Sequence, residues 1–148
     1  LGAGWAGFDF GAAFGKPVRL INDAAMQALG SYHGGRMLFL GLGTGLGNAT
    51  VEDGRVTPME CGHLPYRKRM TFEQYVGAAG LERLGPERWE KHVHRVVRLL
   101  KDALVADYVV IGGGNSKRLT ALPEGAELGS NANALAGGIA LWNEATVR

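Results

Sequence analysis

Apolar residues in this chain come in short runs, most of them stopped by glycine or by an Asn/Asp pair, and the spacing within each run predicts its element. Phe8 to Phe14 reads as a short helix ending at Gly15, and Pro17 then holds the chain extended. Val18 to Ile21 reads as a short buried strand, followed by Asn22-Asp23 as a cap signal for a helix over Ala24 to Ser31 that breaks at Gly34-Gly35. Met37 to Leu40 is a continuous apolar run leading into Gly41, Gly43, Gly45 and Gly47. Ala49 to Val51 resumes a strand, and Asp53-Gly54 turns it back into Arg55 to Thr57.

Thr71 caps one or two short helices reaching Leu84, interrupted around Gly77 to Gly80. Pro86 opens a longer helix in which Trp89, Val93, Val96, Val97, Leu100 and Leu104 recur every three or four residues, with Arg95, Arg98, Lys101 and Asp102 toward water. Tyr108 to Ile111 is a buried strand running into Gly112-Gly113-Gly114-Asn115, and Ser116 to Leu122 reads as a short helix. A final helix starts at Asn131 or Asn133 and continues through Leu135, Ile139 and Trp142, packing either internally or on a second copy in a homodimer. Helices alternating with strands, around an antiparallel glycine-tipped pair, predict one α/β domain with a mixed sheet flanked by helices.

Composition narrows the class. A chain of 148 residues with 46% hydrophobic and 20% charged positions can bury a core and is not of disordered type. The sequence holds no run long enough to span a membrane and no signal-peptide pattern, and a single cysteine, Cys61, excludes an internal disulfide; the expectation is a cytoplasmic protein. The net charge of +2 argues against a nucleic-acid partner. Glycine is the outlier, with 24 residues gathered in particular loops. The opening Leu-Gly-Ala-Gly-Trp reads as an internal start, so the chain is expected to be a piece of a longer protein.

Four of these segments carry candidate chemistry. Asp23 is a carboxylate able to accept a proton from a substrate hydroxyl, although Asp is also a favoured helix cap. Gly41-Leu42-Gly43-Thr44-Gly45-Leu46-Gly47 either frees backbone N–H groups to approach an anion, with the Thr44 hydroxyl added, or is a glycine-rich hairpin that holds no ligand. It is neither a P-loop, lacking the Lys-Ser/Thr pair, nor a dinucleotide fingerprint, because a strand follows it. Glu60-Cys61-Gly62-His63 and Glu73 offer charged groups for the hydroxyls of a sugar, or else a plain surface loop. Gly112 to Asn115 form either a loop over which a planar group such as adenine can approach the backbone or a plain turn. His92 and His94, two apart on a helix, face different ways and make no metal pair. Arg67-Lys68-Arg69 reads as a solvated loop and Cys61 as a packing residue.

The order Asn-Asp, Gly-x-Gly-Thr-Gly-x-Gly, Glu-x-Gly-His, Gly-Gly-Gly-Asn resembles that of the ROK-type sugar kinases, glucokinases included, in the actin-like and hexokinase-like ATPase superfamily. The resemblance runs from about Trp5 to Trp142 and implies a ribonuclease H-like, actin-like ATPase domain. It implies Asp23 as catalytic base, with Asn22 beside it on the sugar, and Glu60, His63 and Glu73 as further sugar-binding residues. By the same resemblance Gly43, Thr44 and Gly45 hold phosphate, and Gly112, Gly113 and Gly114 form the adenosine loop. The implied ligands are a hexose, ATP or polyphosphate as donor, and Mg2+. Two departures are visible: Arg67 to Met70 stand where many family members carry a zinc-binding cysteine-rich loop, which argues against structural zinc and toward the branch with polyphosphate glucokinases. The family's opening Asp-x-Gly-Gly-Thr loop, with its small N-terminal domain, has no counterpart, leaving the C-terminal large domain. A sugar-sensing repressor domain and a non-catalytic binding fragment are the alternative expectations.

Overall fold

The computed structural model describes residues 3–142. Its centre is a five-stranded sheet in the order β3-β2-β1-β6-β7. These strands are β1 (Arg36–Leu42), β2 (Leu46–Glu52), β3 (Arg55–Met59), β6 (Tyr108–Gly112) and β7 (Ala126–Leu128). The first three form an antiparallel meander, and β6 adds to β1 in parallel, as β7 does to β6. At the β2–β3 turn, Asp53 and Gly54 both take positive φ (51° and 73°), the left-handed geometry expected of a tight Asp-Gly hairpin. A two-stranded hairpin of β4 (Pro65–Arg67) and β5 (Met70–Thr71) stands apart, its turn made by the exposed Lys68 and Arg69.

The apolar run of β1 is continuous because both of its faces are covered. Leu38, Leu40 and Leu42 point into one core layer, with α3 (Phe72–Val76), α4 (Ala78–Leu84) and α5 (Pro86–Ala103). Met37 and Phe39 point into the other, against α2 (Asp23–Ser31). The three- and four-residue apolar repeat of α5 buries Trp89, Val93, Val96, Val97 and Leu100, and the Trp89 ring N–H donates to the Val76 carbonyl at 2.8 Å, tying α5 to α3. The last helix, α6 (Asn133–Ala140), lies on α2, and the short α1 (Phe10–Phe14) ends at Gly15 in the left-handed region.

Three expectations are corrected. Val18 to Ile21 forms no strand: Val18 and Leu20 are exposed, and neither sheet edge, β3 or β7, bonds to this segment. An apolar run without a ladder partner has nothing to satisfy its backbone as a strand. Ser116 to Leu122 is not one helix; a 3-10 turn over Gly114–Arg118 is followed by an extended stretch. There the Glu90 carboxylate accepts the N–H groups of Thr120 (2.9 Å) and Ala121 (2.8 Å), an alternative to helical bonding. For the last helix, expected to pack internally or on a second copy, only internal packing of its apolar side chains is overturned: Leu135 and Ile139, and Trp142 just beyond it, stand 79%, 76% and 50% exposed. Gly30 and Gly137 instead bring α2 and α6 together at backbone distance, since a Cβ on Gly30 would lie 1.7 Å from the Asn133 carbonyl oxygen.

Candidate functional site

Asn22, in extended backbone, accepts the Ala25 N–H on its side-chain oxygen at 2.7 Å and is the cap of α2. Asp23 is thereby released from capping and stands as the first helical residue, one carboxylate oxygen receiving the Ala24 N–H at 2.8 Å. The segment before it is extended coil rather than the expected strand, yet the acid still sits at a helix start beside the sheet. A cleft of about 270 Å³ opens there, lined by Asp23, Gln27, Gly43, Thr44, Gly45 and Gly113 among others.

The glycine loop is the tip of the β1–β2 hairpin, Gly43 to Gly45. Its carbonyls are held from behind: the Ala78 N–H donates to the Gly43 and Thr44 carbonyl oxygens at 3.0 and 3.2 Å, and the Asn115 amide to Gly43 at 3.0 Å. Acceptors that would repel an anion are thus engaged by the protein. Two close approaches require glycine here: a Cβ on Gly77 would come within 2.5 Å of the Thr44 carbonyl oxygen, and one on Gly113, whose φ is +83°, within 2.5 Å of that of Leu42. Gly113 lines the cleft; Gly112 ends β6 opposite Gly41, and Gly114 begins the 3-10 turn.

Glu60, His63 and Glu73 come together beside the loop. The His63 ring lies 3.8 Å from the Glu60 carboxylate through Nδ1 and 3.5 Å from that of Glu73 through Nε2. Both separations exceed hydrogen-bond length, so the polar atoms of all three side chains keep their capacity for a ligand. Glu73 is the most enclosed and reaches the phosphate loop, its carboxylate 2.6 Å from where a Cβ on Gly45 would stand. Thr71 places it by capping α3 with a full capping box, its hydroxyl accepting the Gln74 N–H while the Gln74 side chain accepts the Thr71 N–H. These three acids and bases adjoin the Asp23 cleft without lining it, and Asn22 does not line it either.

Sequence reasoning missed Asn48, a buried side chain inside β2. Its amide donates to the Leu46 carbonyl at 2.8 Å and its oxygen accepts the Cys61 N–H at 3.0 Å, so one residue ties the end of the glycine loop to the Glu60–His63 turn. A polar residue directly ahead of the Ala49–Val51 run, in a strand buried on both faces, was the available signal. Cys61 packs in the core, and burial pushes its thiol pKa up. His92 and His94 diverge as expected: Nδ1 of His92 meets the Tyr66 hydroxyl at 2.9 Å, whereas His94 reaches the Ala121 carbonyl. Among the described residues no three His, Cys, Asp or Glu side chains gather in a metal-holding group, and no helix is long and apolar enough to cross a membrane.

No protein-family model matches the chain. The polyphosphate glucokinase of Mycobacterium tuberculosis H37Ra is 29% identical over 115 residues, 70% of this chain and 43% of that protein. The polyphosphate glucokinase of Mycobacterium leprae is 29% identical over 112 residues, 70% of this chain and 35% of its own. The chain therefore spans less than half the length of these curated relatives. Among solved structures, the inorganic polyphosphate/ATP-glucomannokinase of Arthrobacter sp. strain KM superposes with a TM-score of 0.73 at 27% identity, over 90% of this chain and 60% of that one. The ROK family glucokinase of Streptomyces griseus, solved with glucose and AMPPNP, superposes with a TM-score of 0.67 over 88% of this chain and 70% of its own; at 15% identity it supports the fold alone. The chain is thus similar in sequence to polyphosphate glucokinases, and its fold is the actin-like ATPase fold that the ROK-family sugar kinase structures share.

Proposed function

We propose that this chain is the large, C-terminal domain of a sugar kinase that moves a phosphoryl group from ATP or polyphosphate to a hexose hydroxyl, with glucose as the first candidate. The observation that carries the reading is the shared cleft of Asp23 and the Gly43–Gly45 loop, with Glu73 bridging from that loop to Glu60 and His63. On this reading, Glu60, His63 and Glu73, beside the cleft, bind sugar hydroxyls through charge-assisted bonds and orient one hydroxyl toward Asp23. Asp23 takes the proton as that oxygen bonds to the terminal phosphorus of the donor, and the bond to the leaving phosphate oxygen breaks. Thr44 and the loop N–H groups hold the donor's phosphate oxygens, while Gly112 to Gly114 receive the adenosine when ATP is the donor. The Thr44 hydroxyl is a hard oxygen donor of the kind Mg2+ accepts, and the ion would offset charge on the phosphates, leaving the Asp23 carboxylate for the proton. Catalysis on this plan is positioning and electrostatics, completed by a small domain that closes over the cleft.

Calorimetry tests the sugar half. Glucose titrated into the 148-residue chain should bind, and Glu60→Gln or His63→Ala should each weaken binding by about 1–3 kcal/mol, the scale of a bond to a charged group. Unchanged affinity in both variants rejects the assignment.

A further inference from the structure

On the outer face of α5, remote from these residues, a groove of about 550 Å³ runs between the helix and the segment leading into β7. Lys91, Arg95, Arg98 and Lys101 line it at successive spacings of four, three and three residues, hence along one side of the helix, with His94 among them. Two carboxylates, Asp102 and Glu124, also line it. Neither approaches a groove cation: among the described ion pairs Arg36 is the only Lys or Arg engaged within 4.0 Å. Like charges three and four residues apart repel and weaken a helix, so the stripe has a cost that α5 meets through its buried opposite face.

We propose that this groove is a binding site for linear inorganic polyphosphate, separate from the catalytic cleft. The four cations span ten residues, about 15 Å of helix, too far apart to converge on one phosphate but suited to successive phosphates of an extended chain. No Phe, Tyr or Trp side chain lines the groove, so it offers bases of a single-stranded nucleic acid no stacking platform beyond the single His94 ring. None of its residues lines the cleft that holds Asp23 and Thr44. The groove therefore acts as a holding site that raises the local concentration of long donor chains and adds nothing for short ones. The choice of ligand rests on the polyphosphate arm of the proposed function; the cationic geometry does not.

The test is calorimetry on the 148-residue chain with polyphosphate of several tens of phosphates, tripolyphosphate, and a single-stranded oligonucleotide of equal phosphate count. Long polyphosphate should bind best. Arg95→Gln combined with Arg98→Gln should weaken its binding at least tenfold and reduce the slope of log affinity against log salt by about 2, one per phosphate contact. The same double variant should leave glucose affinity unchanged and should hold or slightly raise the thermal unfolding midpoint, since it relieves like-charge repulsion along α5, and Arg95→Lys with Arg98→Lys should restore most of the binding. Full affinity in the Gln variant overturns the site, as does an oligonucleotide that binds as tightly as polyphosphate. Loss of polyphosphate binding in Thr44→Val but not in the groove variant also overturns it while leaving the kinase reading in place. A chain that binds polyphosphate through the groove but binds no glucose sinks the kinase reading instead.

Discussion

Asn48→Leu is the substitution that asks most of this structure. The side chain it removes is 1% exposed and has both its polar ends in use, toward the Leu46 carbonyl and the Cys61 N–H. Leucine has nearly the same size, so the change leaves little cavity but strands a buried donor and a buried acceptor. Each orphaned group costs about 1–3 kcal/mol, and apolar burial of the leucine returns part of that, for a net loss of about 2–4 kcal/mol. With a urea slope of about 2 kcal/mol per molar, the unfolding midpoint should fall by roughly 1–2 M. The loss should also reach the site, because Cys61 lies between Glu60 and His63; glucose should bind several-fold more weakly at urea-free conditions where the variant is still folded. The assays are urea unfolding followed by tryptophan fluorescence and calorimetry with glucose. A midpoint within error of the parent, with unchanged glucose affinity, would refute the role given to Asn48 in joining the glycine loop to the Glu60–His63 turn.

Three further outcomes are expected. Gly113→Ala places a Cβ 2.5 Å from the Leu42 carbonyl oxygen at a φ of +83°, so it should destabilise the chain by at least about 2 kcal/mol in urea unfolding. Gly30→Ala should detach α6 from α2, seen as faster proteolysis near residue 133 and altered Trp142 emission while the sheet core stays folded. Stability should also fall on acidification through His92. Burial, and then Arg67, Arg95 and Arg83, hold its pKa below the usual 6.5, so the unfolded chain binds the proton first. That contribution is complete above about pH 6.5 and is lost as the pH drops below it; urea midpoints from about pH 7.5 to 5 should decline less steeply in His92→Gln.

The local sequence determined the elements whose signals are self-contained. The Ala49–Val51 strand, the Asp53-Gly54 turn, the Thr71 cap and the helical repeat of α5 each arise from residues close in the chain, and each stands where its pattern predicts. The sequence also held the glycine loop and the acidic and imidazole groups, as types in an order. Tertiary structure decided the rest. Val18 to Ile21 has strand-like residues but no neighbouring strand, and a strand exists only through its ladder. Residues 116–122 lost their helix to Glu90, a carboxylate some thirty positions earlier. Leu135 and Ile139 face outward because Gly30 and Gly137 let two backbones meet, a contact that no hydrophobic periodicity records. Asn48 joins two loops thirteen residues apart, and Asp23 meets Thr44 only because α2 packs on the sheet beside the β1–β2 tip. Backbone contacts and long-range hydrogen bonds depend on the whole fold, which is why they fix the site while remaining invisible to any window of sequence.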